Sequence, residues 1–505
     1  MERRLAVIDL GSNSFRLVVF AAAPGSWWKL TDEIFESVRI GAGVGESGEL
    51  QPEPMERALH TIELYVHFCR ASGLASEQVR AVATSAIRDA ANRDEFLARA
   101  REAGLEVEVL SREEEARYAY LAAVNSTTLA DGAVLDLGGG SLQLVEVRDR
   151  HAVEVGSWPL GTVRMTERFL PGERASKKHL KALRAHVREE LASASWLPGS
   201  GPRLAGIGGT VRNLAAAAMR AAGLPRVETQ GFRLTRDALA ELRAELADRP
   251  LDKRGDVPGI KPERGDIILA GAVAVETVLE VGDFDSVEVT EAGLREGIFF
   301  ADLLAPAQPP LFEDVREASV RNLANQYEVE PRHTRHVAAL ALGMWDALAA
   351  GAVHAGDPAE RELLWAAAML HDIGVSVDYD DHHHHSRYLI LNAGLPGFDP
   401  RELALIAQMA RYHRKGSPDL GELEPLMRKG DEALLRRCSA VLRLAEQLER
   451  SRDQSVRSTR MEIDGDLVRL DLLAEGDVSV ARWAAERQRD LFEQAFGRGL
   501  ELAAA

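Results

Sequence analysis

Two carboxylates stand at the mouths of two near-identical turns. The segment DLGSNSFRLVV begins at Asp9, and DLGGGSLQLVE begins at Asp136. In each, an Asp closes an apolar run, Leu-Gly and a small polar turn follow, and a Ser precedes a second apolar stretch. The pattern predicts strand, tight turn, strand. Gly and Ser in such a turn let backbone N–H groups approach an anion, because no Cβ holds it off. A carboxylate beside them would repel phosphate unless Mg2+ stood between, and Mg2+ takes a few carboxylates together with phosphate oxygens. Asp9 and Asp136 are therefore expected to hold one Mg2+. Ser12 and Asn13 of the first turn, and Gly138, Gly139, Gly140 and Ser141 of the second, are expected to donate to phosphate. Two matched turns imply a duplicated fold facing one cleft.

A third cluster, GIGGTVRNLA from Gly206, follows an apolar approach and opens a helix-like run. N–H groups at a helix start favour phosphate, which adds Gly208, Gly209 and Thr210 to the expected donors. GAGVG (residues 41–45) precedes no clear helix and is expected to be a loop.

The segment LSREEEARYAYLAAV (residues 110–124) supplies a base. Ser111 and Glu114 have the spacing of a capping box, and Glu113 suits a helix start through the macrodipole. Glu115 has no such local role. It lies one turn into the helix, placed to face a cleft.

The order of two Asp turns and GxGGT resembles the actin-like and sugar-kinase superfamily, two ribonuclease-H-like domains around a nucleotide cleft. More specifically, DLGSNSFRLVV, ATSAIRDAAN, LSREEEAR, DLGGGSLQLVE, GIGGTVRNLA and EAGLREGI together resemble the exopolyphosphatase and guanosine pentaphosphate phosphohydrolase family. The resemblance implies that Glu115 activates the attacking water, that Asp9 and Asp136 are magnesium-linked, and that Arg88 clamps phosphate. It also implies a homodimer. For Arg88 the alternative is an ion pair with Asp89 or Asp94. Arg112 stands where the family commonly has Gly, which would alter the helix entry or add charge near the substrate.

The back half carries a second set. AAAMLHDIGV (residues 366–375) ends an apolar helix on a His-Asp doublet. With His336 upstream and LRLAEQLERS downstream, it resembles a metal-dependent HD phosphohydrolase domain. That resemblance implies a possible second metal on His336, His371, Asp372 and Glu446, the Glu being one methylene longer than the usual Asp. A vestigial, substrate-binding domain competes with that reading. The run HHHHS (residues 382–386) is expected to be a solvated loop. Arg411, His413, Arg414 and Lys415 of RYHRK are expected to contact a polyanion, with a plain helix end as the alternative.

The elements that must position these groups change character along the chain. Strand-like runs alternate with helical ones up to about residue 304, for example VRAVAT (79–84), LEVEVL (105–110) and the amphipathic stretch 55–72. LLAPAQPPLFED (303–314) reads as a linker, the pattern is then almost all helical to about 457, and MEIDGDLVRLDLL (461–473) reads as a hairpin before a final helix. The expected fold is α/β, with actin-like domains at 1–124 and 125–304, a helical HD-type domain at 311–456 and a small appendage at 457–505.

Composition limits the function classes. A net charge of −18 excludes general nucleic-acid binding, which relies on basic surface. Two cysteines cannot build a disulfide framework, which fits a reducing cytoplasm. Asp9, Asn13 and Arg16 interrupt the first apolar stretch, so neither a signal peptide nor a membrane helix is expected. The expectation is a cytoplasmic, Mg2+-dependent exopolyphosphatase acting on inorganic polyphosphate, with guanosine pentaphosphate as the closest alternative substrate. The alternative of another class is an HD-type nucleotide phosphohydrolase with the front half as a regulatory module. A small-molecule kinase would need a cleft Asp beside an acceptor hydroxyl, and no motif supplies it.

Overall fold

The apolar run before Asp9 continues as strand β1 (Arg3–Leu10), in which Ala6, Val7 and Ile8 are fully buried, as a strand covered on both faces must be. The computed structural model describes residues 2–327 and 329–502. These fall into two compact units, Met1–Leu224 with Thr229–Val315, and Pro225–Glu228 with Arg316–Ala505.

The front unit contains two sheets built on one plan. In the first, β1 pairs antiparallel with β2 (Phe15–Ala23), which pairs with β3 (Trp27–Glu36), while β4 (Val79–Ala83) and β5 (Val107–Val109) extend the other side in parallel, in the order β3-β2-β1-β4-β5. In the second, β6 (Gly132–Leu137), β7 (Leu142–Arg148) and β8 (His151–Trp158) repeat the antiparallel trio. There β9 (Leu204–Ile207) and β11 (Ser286–Val289) add in parallel, and β10 (Arg233–Thr235) closes the edge. The register is duplicated too: Asp9 lies opposite Arg16, and Asp136 opposite Gln143. This internal repeat is why one chain carries the same turn twice.

Helix packing fixes the segment that carries Glu115. Helix Arg112–Val124 crosses helix Leu294–Leu303 so closely that a Cβ on Gly297 would overlap the Tyr118 carbonyl oxygen. The second glycine of EAGLREGI, Gly297, is therefore a packing requirement. GAGVG differs from expectation: Gly43, at φ 75°, starts a short helix at Val44–Ser47 rather than an irregular loop.

The back unit is a helical bundle. Helices Pro331–Ala350, Pro358–Leu370, Pro400–Tyr412 and Asp431–Leu448 bury Trp345, Leu370, Ile406 and Leu442 in one core. The tail joins that core through Val456, Val468 and Phe492. Its hairpin β12 (Val456–Asp464) and β13 (Leu467–Ala474) turns at Gly465 as the sequence suggested, but two short helices and a parallel strand β14 (Gly499–Leu502) replace the single final helix. No helix among the described residues is long and apolar enough to cross a membrane.

Candidate active site

The two hairpin turns meet. Gly139 packs against Ser12 and Asn13, and Gly140 leaves no room for a side chain beside the Ser12 and Ser85 hydroxyls, which lie 3.0 Å apart. The cleft at this junction is lined by Asp9, Ser12, Asn13, Glu115, Asp136, Gly138, Gly139, Ser141, Gly208 and Gly209, so most of the expected site residues converge. Gly208, at φ 93°, opens helix Gly209–Ala221 beside the Asp136 carboxylate. Two expected donors do not line the cleft. Gly140 faces the Ser12 and Ser85 hydroxyls, and the Thr210 methyl is packed against Gly271.

Asp9 and Asp136 are half-buried at the ends of their strands, facing the same cleft from different sheets. Burial, then Glu115, then Asp9, pushes Asp136 up to about 7. Asp9 is also raised by burial, with Arg295 and Arg16 opposing. Neither carboxylate accepts a hydrogen bond or ion pair from a described side chain. An oxygen-only pair of this kind fits Mg2+, which is held by one or two carboxylates plus phosphate oxygens.

Glu115 is 6% exposed. Its Oε2 accepts from Arg88 Nη1 at 2.8 Å and its Oε1 accepts from Ser141 Oγ at 3.4 Å. Gln143 Nε2 in turn donates to Ser141 Oγ at 2.8 Å. Burial raises Glu115 above the usual carboxylate range, with Arg88 holding it back. Arg88 points at Glu115 and the Leu110 carbonyl, 3.7 Å from Asp89, and does not line the cleft. Glu114 is occupied by the capping box: Ser111 Oγ accepts from the Glu114 amide, and Glu114 Oε2 accepts from the Ser111 amide at 2.8 Å. Arg112 leaves that box intact and approaches Asp89 at 3.8 Å.

The residues that sequence reasoning missed are cationic. Arg16, Arg212, Arg264 and Arg295 all line the cleft. Arg16 pairs with Glu33 at 2.7 Å, and Arg295 reaches the same Glu33 at 3.8 Å. Arg212 pairs with Glu291 at 3.5 Å. Arg264 has no carboxylate within ion-pair distance among the described residues, and burial, then Arg212 and Arg16, push it down to about 10. Gly209 makes space for its guanidinium. Three of the four lie inside motifs already conspicuous for their glycines, and nothing local marks Arg264.

Residues 18–305 match the Ppx/GppA phosphatase family, and residues 315–481 match the family's domain III. The chain belongs to the Ppx/GppA phosphatase family. It is accordingly an enzyme of the phosphatase class. A Ppx/GppA family member from Aquifex aeolicus is 31% identical over 61% of this chain and 99% of its own, with a TM-score of 0.52. An exopolyphosphatase from Cytophaga hutchinsonii, 21% identical over 60% of this chain and 98% of its own, shares the fold at a TM-score of 0.56. Both support the actin-like reading of the two sheet-containing domains.

In domain III of this Ppx/GppA phosphatase the expected residues separate. His371, Asp372 and Glu446 come together, but His336 does not: its ring lies 2.8 Å from the Val456 carbonyl and 3.7 Å from Glu449. His333, three residues earlier on the same helix, takes the place instead, 3.0 Å from Glu446. His413 is 1% exposed, not a surface polyanion contact, because the end of helix Pro400–Tyr412 turns it into the bundle. Of its neighbours, Arg411 lies over the Tyr412 ring, Arg414 over Tyr379, and Lys415 pairs with Asp381 at 2.9 Å. The histidine run is no solvated loop either. It opens helix His382–Ala393 and buries His382 and His383.

Proposed function

We propose that this cleft removes the terminal phosphate of inorganic polyphosphate by attack of water, with Glu115 as general base. The observation that carries the reading is the position of Glu115, a buried carboxylate of raised proton affinity, beside two half-buried aspartates and a cluster of arginines. A base is most effective when its proton affinity approaches the working pH, and burial moves Glu115 in that direction. Arg88 holds one oxygen of Glu115, which leaves the other, near Ser141, to take the proton of the attacking water. Arg16, Arg212, Arg264 and Arg295 offset the charge of the chain and of the departing phosphate, and the N–H groups of the glycine turns orient its oxygens. Mg2+ held by Asp9 and Asp136 would add positive charge at the phosphate oxygens. For the helical unit we propose an HD-type domain, on the buried His371–Asp372 doublet that ends its helix.

The test is phosphate release, with Mg2+, from long-chain polyphosphate and separately from guanosine pentaphosphate. Wild type, Glu115→Gln and the His371→Ala/Asp372→Ala double variant are compared. We expect turnover of polyphosphate to fall by about 10² to 10⁴ in Glu115→Gln and to persist in the double variant. Turnover that survives Glu115→Gln and vanishes in the double variant would move the chemistry into the helical unit. Preference for guanosine pentaphosphate would keep the mechanism and change the substrate.

A further inference from the structure

Gln143 lies on β7 directly opposite Asp136 and is 1% exposed. The matching position in the first sheet, opposite Asp9, holds Arg16, which lines the cleft. Gln143 does not line it, but its side chain reaches Ser141, which does. An amide neither takes up a proton near neutral pH nor carries charge for a cation. Gln143 therefore acts on the cleft through its hydrogen bonds or not at all.

Those bonds have a fixed polarity. Gln143 Nε2 donates to Ser141 Oγ at 2.8 Å, and the buried Oε1 has no hydrogen-bond partner. Turning the amide over would make Ser141 the donor to Gln143. Glu115 Oε1 would then lose its Ser141 donor, and both amide N–H groups would stand where the unpartnered oxygen now lies. A buried carboxylate oxygen without a donor costs more than an amide oxygen without one, so satisfaction selects the observed orientation.

The consequence falls on the single hydrogen of Ser141. A hydroxyl has one hydrogen to donate and two lone pairs, and the amide occupies a lone pair. The hydrogen is free for Glu115 Oε1, at 3.4 Å, which is long for an O–H···O bond. So long a bond is readily exchanged for one to a charged phosphate oxygen. The amide keeps its own bond to Oγ while the hydrogen turns, so Oγ stays in place through the exchange.

We propose that Gln143 is a positioning residue that fixes Ser141 as a donor, so that the Ser141 hydrogen caps Glu115 in the free enzyme and passes to the substrate's phosphate on binding. Phosphate binding then uncovers the oxygen that takes the proton of water, and the base is exposed only when substrate is present. The inference rests on the reading of Glu115 as general base.

The test is the pH dependence of kcat/KM on tripolyphosphate with Mg2+, which reports the groups of the free enzyme. Gln143→Met keeps the length of the side chain and removes the donor. It is expected to fold with an unreduced Tm, since the unpartnered oxygen leaves with the amide. Without the amide, Ser141 no longer holds its hydrogen on Glu115, whose proton affinity rises. We expect the acidic limb to move to higher pH and kcat to fall roughly tenfold. Gln143→Glu, whose carboxylate takes the Ser141 hydrogen, is expected to move the limb the same way, and it decides alone should Gln143→Met not fold. Ser141→Ala is expected to shift the limb by itself, and Gln143→Met added to it to cost no more. Losses that multiply in the double variant, or a limb unmoved in either Gln143 variant, would overturn the inference and leave Glu115 as base. Turnover retained by Glu115→Gln would overturn both.

Discussion

Arg88 Nη1 donates to Glu115 Oε2 across 2.8 Å, joining the short helix Ser85–Asp89 after β4 to helix Arg112–Val124. The Arg88 side chain is 12% exposed and that of Glu115 8%, so the pair is little screened. The Arg88 guanidinium also opposes the upward pull of burial on Glu115.

Removing that guanidinium releases the pull. Arg88→Met is expected to move the acidic limb of the kcat profile to higher pH and to lower turnover near neutral pH roughly tenfold. Arg88→Lys, which keeps the charge, is expected to leave the limb near its wild-type position. A limb that stays put in Arg88→Met while KM rises would mean that Arg88 contacts substrate instead of positioning the base.

Arg264 contributes charge to the cleft at a cost to the free protein, since Arg212 and Arg16 repel it. Arg264→Ala is therefore expected to raise the Tm of the free enzyme. KM for polyphosphate should rise roughly tenfold, equivalent to about 1.4 kcal/mol. The loss should shrink at high salt, because screening already weakens that contact in wild type. An unchanged KM would remove Arg264 from the binding surface.

Asp136 makes metal-free stability depend on pH. Its ordinary value is 3.8, and the folded protein holds it at about 7. Between those values the folded state keeps a proton that the unfolded chain has released, so stability is greatest below 3.8 and falls as pH rises toward about 7. In chelator-treated enzyme the Tm is expected to decline across that window, and Asp136→Asn to flatten the decline. Mg2+ should restore Tm above the window in wild type, because a ligand that binds only the folded state stabilises it. A variant no more stable than metal-free wild type at about pH 8 would contradict this.

Gly297→Ala tests the helix crossing. The added Cβ has no space against the Tyr118 carbonyl, and overpacking costs about 1–3 kcal/mol. Helix Arg112–Val124 must then move, and Glu115 moves with it. Calorimetry should show a lower Tm and assay a lower kcat, and a normal kcat would mean that the crossing does not position the base.

What depends on neighbours in sequence was legible without a structure. The Asp9 and Asp136 turns follow from alternating apolar runs around glycines, and the Ser111–Glu114 box from a three-residue spacing, so Glu115 stood out as the acid left over. Duplication of the turn foretold a duplicated fold, and the structure adds that the registers match, Asp9 with Arg16 and Asp136 with Gln143.

Tertiary packing decided the rest. His333 and His336 share a helix three residues apart, and helical periodicity allows either to face inward. The fit of helix Pro331–Ala350 against its neighbours chose His333. His413, flanked by Arg and Lys, reads as surface, yet the end of its helix buries it beside His382. Arg264 joins Arg16, Arg212 and Arg295 only because separate segments close on one cleft. Local sequence sets the conformation of each segment; which charges then share a low-dielectric space is set by burial against residues far away in the chain.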